Sequence, residues 1–383
     1  MRIIVQVKMA FLLVTCGSIL TAGEPFVIRN VRVFDGNRML APTSVSISGG
    51  KIQEIGSGIR PPAGARTIDG AGKTLLPGFI DAHVHVRTMD DLETVLAFGV
   101  TTCLDMFTLQ ELAARARAEQ AAGKAVRRAD MLSAGTPATA PGGHGTEYGV
   151  PIPTLSRAEE AQGFVEARLA EGSDYLKIMK DDGSAFGFRR PTLDATTVGA
   201  LIRAAHARER LAIVHIATAS DAREAIAGGA DGIAHVYAGA ADPELARAAS
   251  ARAVFWTPTL AVITHDAPAA SRAAAFAVVR GLEDAGVQVL AGTDAPNPGT
   301  AFGETLHTEL ELLVAAGISP AKALGAATSA AAAAFRLADR GRIAAGTRAD
   351  LVLVDGDPVL DIRATRRILM VWKEGVLVKD KQH

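Results

Sequence analysis

The sequence predicts an α/β fold: a (β/α)8 TIM-like barrel accompanied by a small β-sandwich that draws strands from both chain ends. Three observations carry this reading. Eight short apolar runs, at 79–86, 100–106, 129–134, 175–180, 211–216, 232–237, 253–260 and 288–294, alternate with Ala- and Arg-rich helical stretches across residues 77–340. Before them, bursts such as Phe26-Val27-Ile28, Val31-Arg32-Val33-Phe34 and Ser44-Val45-Ser46-Ile47 are separated by Asp35-Gly36-Asn37 and Gly49-Gly50 turns. After residue 341 that β texture returns in Ala349-Asp350-Leu351-Val352-Leu353-Val354 and Leu369-Met370-Val371-Trp372, which assigns 24–76 and 341–383 to the sandwich.

Taken in order, residues 1–23 read as a signal peptide. Arg2 and Lys8 give a basic start, Met9 to Leu20 an apolar run, and Thr21-Ala22-Gly23 a small-residue cleavage pattern. Its removal would leave 38 basic against 41 acidic residues, a net charge of −3 in place of −1. The expected destination is the periplasm or beyond, with no stable membrane insertion after cleavage. Leu13-Val14-Thr15-Cys16 is a poor lipoprotein box, because Thr precedes Cys16. The mature chain would keep Cys103 alone, so no internal disulfide staples it and the core must supply stability.

Composition excludes several functional classes. With 49% hydrophobic residues and two cysteines among 383 residues, the chain is neither disordered nor a disulfide scaffold. Its balanced charge offers no field for nucleic acid, which leaves a small-molecule substrate as the expected partner. Self-association into a homo-oligomer is left open.

The polar residues at strand ends carry the chemistry. The first run ends Asp81-Ala82-His83-Val84-His85, and residues two apart on a strand face the same way, about 6.6 Å apart. Two imidazoles so placed can share a metal ion at the barrel mouth. The fourth run places Lys177 inside apolar sequence, where a lone charge is costly and a modified, paired or pKa-lowered amine is required. The fifth, sixth and eighth runs end with His215, His235 and Asp294. Each alone reads as readily as a satisfied core residue. All six, on five strand ends at the face where barrel enzymes carry catalytic groups, have no such bland explanation.

With those residues in place, the chain resembles the amidohydrolase superfamily of metal-dependent hydrolases over nearly its whole mature length. Gly78-Phe79-Ile80-Asp81-Ala82-His83-Val84-His85 is similar to the first-strand motif, and Gly341-Arg342-Ile343 through Gly346 to Ala349-Asp350-Leu351-Val352 to the return into the sandwich. The resemblance is to the prolidase-like and imidazolonepropionase-like members. It implies two divalent ions, usually zinc, with His83, His85 and Asp294 on one and His215 and His235 on the other. Lys177, carboxylated by CO₂, would bridge them. It further implies hydrolysis of an amide bond in a dipeptide or other small molecule, with a metal-bound hydroxide attacking and Asp294 moving the proton. His144, in Gly142-Gly143-His144-Gly145, matches a segment that contacts substrate in dipeptidase relatives, and Tyr148 and Tyr237 are further candidates there.

The pattern also departs from the family. Ala217 stands where dipeptidase-like members tend to carry Tyr, and Ala234-His235-Val236 stands in place of Glu-His-Gly. Thr218 occupies the position where deaminase-type and imidazolonepropionase members place Glu. The metal set is expected intact and the substrate pocket altered. Lactone or phosphotriester cleavage at the same centre is the alternative activity, and a non-catalytic binding protein on this fold is the other class. Lys180, three residues beyond Lys177, is expected on the opposite face as a loop cation near Asp181 and Asp182; Arg189 and Arg190 are expected in solvent, with a clamp on a substrate carboxylate as the alternative, His206 and His265 on the surface or in the core, and His307 in a supporting role.

Overall fold

The computed structural model describes residues 23–381, so the signal expected over 1–23 lies outside the described residues but for Gly23. The N-terminal part supplies β1 (Phe26–Phe34), β2 (Met39–Ser48), β3 (Lys51–Gly56), β4 (Arg66–Asp69) and β5 (Lys73–Pro77). Then follow β6 (Phe79–Val84), β7 (Val100–Asp105), β8 (Asp130–Ser133), β9 (Leu176–Lys180), β10 (Ala212–Ile216), β11 (Gly232–Ala234) and β12 (Phe255–Thr257), with helices between them. The chain closes with β13 (Leu351–Asp355), β14 (Ile368–Lys373) and β15 (Val376–Asp380).

The strands of the two chain ends form one hydrogen-bonded sheet, in the order β15-β14-β13-β5-β1-β2-β3, with β4 parallel beside β1. The sheet closes on its own apolar face: Phe26 of β1 stacks on Trp372 of β14, ring centroids 5.3 Å apart, although β13 and β5 lie between the two strands. β13 pairs antiparallel with β5, from Leu351↔Pro77 to Asp355↔Lys73, so the ends meet edge to edge. The reason lies in their side chains. Leu75, Leu351 and Leu353 enter the sheet's own cluster with Phe26 and Trp372, whereas Leu76, Val352 and Val354 join the large core shared with the helices. Strands that are apolar on both sides belong in the middle of a sheet.

β6-β7-β8 and β9-β10-β11-β12 are two parallel sheets. Main-chain hydrogen bonds link them on both sides. Ala138 accepts from Met179 N (2.9 Å) and donates to Lys177 O (2.8 Å), which connects the β8 side to β9. On the other side the eighth apolar run makes isolated bridges, Val289 to Trp256 and Ala295 to Val84. It is not a continuous strand because His83 O accepts from both Thr293 N (3.0 Å) and Asp294 N (2.7 Å), turning the backbone there. A Cβ at Gly292 would stand 2.7 Å from both Cβ and N of His83, so only glycine lets the segment approach so closely.

Inside the strands, Ile80, Leu104, Ile213, Ala234, Phe255 and Leu290 pack in one cluster with Phe335. Their neighbours Phe79, Cys103, Val214, Ile233, Trp256 and Ala291 pack outward against the helices. This period-two division is what an inner layer of strands wrapped by helices demands. Some helices enter at side-chain caps, with Thr88–Asp91 and Thr218–Asp221 forming reciprocal capping boxes. Among the described residues, no helix is long and apolar enough to cross a membrane.

Candidate active site

The C-terminal ends of β6, β9, β10 and β11 and the 288–295 segment meet at the floor of a cavity of about 880 Å³. All six ligand-type residues line it: His83, His85, Lys177, His215, His235 and Asp294. On β6 the register slips between Asp81 and Val84. Ile80 and Ala82 join the inner cluster, and beyond the slip His83 and His85 line the cavity. Asp81 fixes this shape: its carboxylate accepts from His83 N (3.2 Å), Thr293 N (3.0 Å) and Thr293 Oγ1 (2.7 Å). Burial pushes the Asp81 carboxyl up to about 7, against those hydrogen bonds.

Asp294 Oδ1 lies 2.8 Å from His85 Nε2 and 3.3 Å from His83 Nε2. The donor atoms of His83, His85 and Asp294 all fall within 4.8 Å of one another, a grouping that can hold one metal ion. Lys177 Nζ is 3.5 Å from His83 Nε2. The ring centroids of His215 and His235 are 4.4 Å apart, and those of His83 and His235 4.7 Å. His235 Nδ1 sits 2.8 Å from Thr259 Oγ1, so a proton there can donate to Thr259 and leave the lone pair on Nε2. His235 (φ 74°), Asp294 (φ 58°) and Thr259 (φ 50°) hold left-handed backbone conformations, the kind of strain that tertiary structure imposes at working sites.

Burial sets the protonation states. It pushes His83 down to about 3, helped by the Lys177 charge, and His215 and His235 well below the usual imidazole range. It likewise pushes Lys177 down to about 7, which makes the neutral, nucleophilic amine accessible near neutrality. Burial opposes ionisation of Asp294, but the surrounding His83, His85 and His235 hold its carboxyl well below the usual range.

The candidate substrate residues have different fates. His144 lines the cavity beside His215, with ring centroids 4.7 Å apart, and its Nδ1 contacts Arg190 and lies 2.8 Å from Glu147 Oε1. Tyr148 stands at the rim, 54% exposed. Tyr237 presents its ring to the cavity, while its hydroxyl accepts from Asp242 N (3.0 Å) and so anchors a helix start.

Two cations depart from expectation. Lys180 does face away from the cavity floor, but it is buried, bonding Leu193 O (2.8 Å) and Glu224 (3.0 Å) rather than floating near Asp181 and Asp182. Arg190 is not solvated: it pairs with Glu147 (2.7 Å) and Asp181 (3.0 Å), whereas Arg189 stays exposed against Asp182. From the sequence, Asp181 is expected only as a loop carboxylate near Lys180. It is 1% exposed, its Oδ2 lies 3.8 Å from His215 Nε2, and with His144 and His215 it makes a second metal-competent grouping. Its signal was present as a carboxylate immediately after β9, four residues beyond Lys177. His307 donates from Nε2 to Phe98 O (3.1 Å) and edges onto Phe79, a supporting role as expected. His206 and His265 pair with Asp231 and Asp266 near the surface.

Comparison with known proteins places this geometry. The sequence pattern of the Amidohydrolase family matches residues 74–378. The chain is 26% identical over 380 residues to an imidazolonepropionase of Streptomyces griseus, covering 88% of this chain and 92% of that one. Among solved structures it is similar to a putative prolidase from Bifidobacterium longum (TM-score 0.80, 25% identity, 93% of this chain and 94% of that one). It is also similar in fold to a Xaa-Pro dipeptidase with bound methionine (TM-score 0.79, 24% identity, 92% and 99%). The chain therefore belongs to the amidohydrolase family, in its prolidase- and imidazolonepropionase-like branch, and is a hydrolase acting on carbon–nitrogen bonds.

Proposed function

We propose that this hydrolase cleaves an amide bond in a small molecule with the help of two divalent metal ions, zinc being the expected metal. The observation that carries the reading is the convergence of His83, His85, Lys177, His215, His235 and Asp294 on one cavity floor. The donor set fits a metal centre: three nitrogen and oxygen donors lie within 4.8 Å, and buried His83, His215 and His235 are held neutral with lone pairs available. In this reading His83, His85 and Asp294 hold one ion, His215 and His235 the other. Lys177, whose buried amine is easily neutral, would be carboxylated by CO₂ and so supply oxygen ligands to the ions.

Bound ions of this kind supply a water of lowered pKa and polarise the scissile carbonyl. The chain's own groups do the rest. Asp294 takes the proton of the attacking water on a carboxylate oxygen and delivers it to the leaving nitrogen. Thr259 fixes the His235 ring through Nδ1, and Asp81 ties β6 to the 293–294 turn so that His83 and Asp294 keep their separation. The same proposal includes the eightfold closure of the strands around this floor, the division into a barrel over 77–340 and a sheet domain from 24–76 and 341–383, and export after cleavage near residue 23. Fractionation tests the export: uncleaved protein in the cytosol would refute it.

A hydrolysis screen of the zinc-loaded mature protein tests the activity, spanning dipeptides, N-acyl amino acids, aryl amides, lactones and phosphotriesters. Turnover of an amide is expected. Turnover confined to lactones or phosphotriesters would overturn the amide reading while keeping the metal floor.

A further inference from the structure

The walls above the floor speak to what kind of amide enters. Their charged groups already answer one another. Arg190 meets Glu147 (Nη1–Oε1 2.7 Å) and Asp181 (Nη2–Oδ2 3.0 Å), and His144 Nδ1 stands 2.8 Å from the same Glu147 oxygen. One guanidinium thus faces two carboxylates. Among the described residues lining the cavity, Lys177 is the other cation, and it belongs to the floor. A substrate carboxylate entering beside these walls would find their guanidinium already shared between two carboxylates.

The remaining lining is apolar. Phe186 (62% exposed) and Phe188 (48% exposed) stack with ring centroids 6.3 Å apart and 24° between planes, on the loop that follows β9. Arg190 lies 4.8 Å over the Phe188 ring, which fixes that ring's position from behind its charge pairs. Val262, Ile263 and Ala274 continue the apolar lining, and Ala217 leaves space close to His215. Two exposed phenylalanines at the lip of a cavity of about 880 Å³ offer surface to a ligand's apolar body.

We propose that the substrate is an uncharged amide with a bulky aromatic or similarly apolar group, carrying no free carboxylate next to the scissile bond. The inference rests on the hydrolytic reading above. Its apolar body lies on Phe186 and Phe188 while its carbonyl reaches the floor. The reaction consumes one water: the water oxygen bonds to the carbonyl carbon, the C–N bond breaks with its electron pair on nitrogen, and nitrogen takes up a proton. An acid and an amine result. The acid ionises on release, and the carboxylates around Arg190 favour its departure.

The test compares phenylacetyl-4-nitroanilide with the same anilide bearing a ring carboxylate and with a free dipeptide, using the zinc-loaded protein. The neutral anilide is expected to show a kcat/KM at least about tenfold higher than either. Replacing both rings (Phe186→Ala with Phe188→Ala) should raise its KM about tenfold and affect an acetyl anilide far less. Glu147→Gln, which releases Arg190 from one carboxylate, should narrow the gap between neutral and carboxylated anilides severalfold. Equal or better turnover of the carboxylated anilide or the dipeptide would overturn the proposal. If no amide is cleaved, the hydrolytic reading fails, and calorimetry decides the pocket separately. Tighter binding of the neutral anilide supports it, and equal or tighter binding of the carboxylated one contradicts it.

Discussion

Two clusters of buried charge lie at opposite ends of the parallel strands, and they are satisfied to different degrees. At the N-terminal end of β8, Asp130 receives Lys373 (2.8 Å), Arg340 (2.7 Å) and Arg348 (2.6 Å), and Arg348 also pairs with Asp350. Lys373 comes from β14, so this cluster joins the sheet of the chain ends to the strands that carry the site. Among the described residues, none of its side-chain donors or acceptors is buried without a hydrogen bond. At the other end, His83 Nδ1 and Asp181 Oδ2 are buried with none, the second despite its ion pair with Arg190. Complete pairing marks a structural junction; incomplete pairing, with imidazoles pushed neutral and a lysine brought near 7, marks groups that await a further partner.

That contrast can be broken from either side. The largest effect is expected at the mouth: Asp294→Ala should lower kcat by about three orders of magnitude or more, since in the proposed mechanism Asp294 is both a ligand and the proton carrier. Near-wild-type turnover would dismantle the assignment. Thermal or denaturant unfolding of this variant should change little. At the junction the pattern reverses. Asp130→Asn leaves Lys373, with a fully buried side chain, facing two arginines without the anion, and should cost about 3–5 kcal/mol in unfolding experiments. A loss below about 1 kcal/mol would mean that the cluster is dispensable.

Thr259→Val probes a smaller contribution. It keeps the volume near the His235 ring but removes the partner of Nδ1, and metal affinity should drop about 10–100-fold. Equilibrium dialysis against a chelator measures it, and an unchanged affinity would remove Thr259 from the account. The mildest test is acid. Burial opposes ionisation of Asp130, but Lys373, Arg348 and Arg340 outweigh it and hold its carboxyl far below the ordinary value. A depressed folded pKa contributes stability above the unfolded value of about 3.9, and that stability is lost as pH falls below it. The gap in stability between wild type and Asp130→Asn should therefore shrink below about pH 4. A gap that widens in acid would contradict the sign.

The two clusters were not equally legible in the amino-acid sequence. His83, His85, His215, His235 and Asp294 could be read because each is a polar residue at or near the end of an apolar run, where strand polarity places such ends on one face, and Lys177 because its charge interrupts one. Asp130, Lys373, Arg340 and Arg348 carry no such mark. Their contacts span 210 to 243 residues, and a charged residue in a long chain looks solvated until its partner is known. Arg190 was misread for that reason, since Glu147 and His144 reach it from a different loop. The sheet of the chain ends shows the same limit: alternation revealed its strands, but only the pairing of β5 with β13 shows how the two ends join.

In the proposed reading the floor is a two-metal centre organised by Lys177. Metal content measured on the purified chain after loading with zinc and bicarbonate tests it most directly, with Lys177→Ala alongside. Two ions per wild-type chain are expected, and one or none in the variant until a short carboxylic acid is added to replace the missing bridge. A wild-type chain that binds no transition metal, or a variant that still holds two without added acid, would contradict the account.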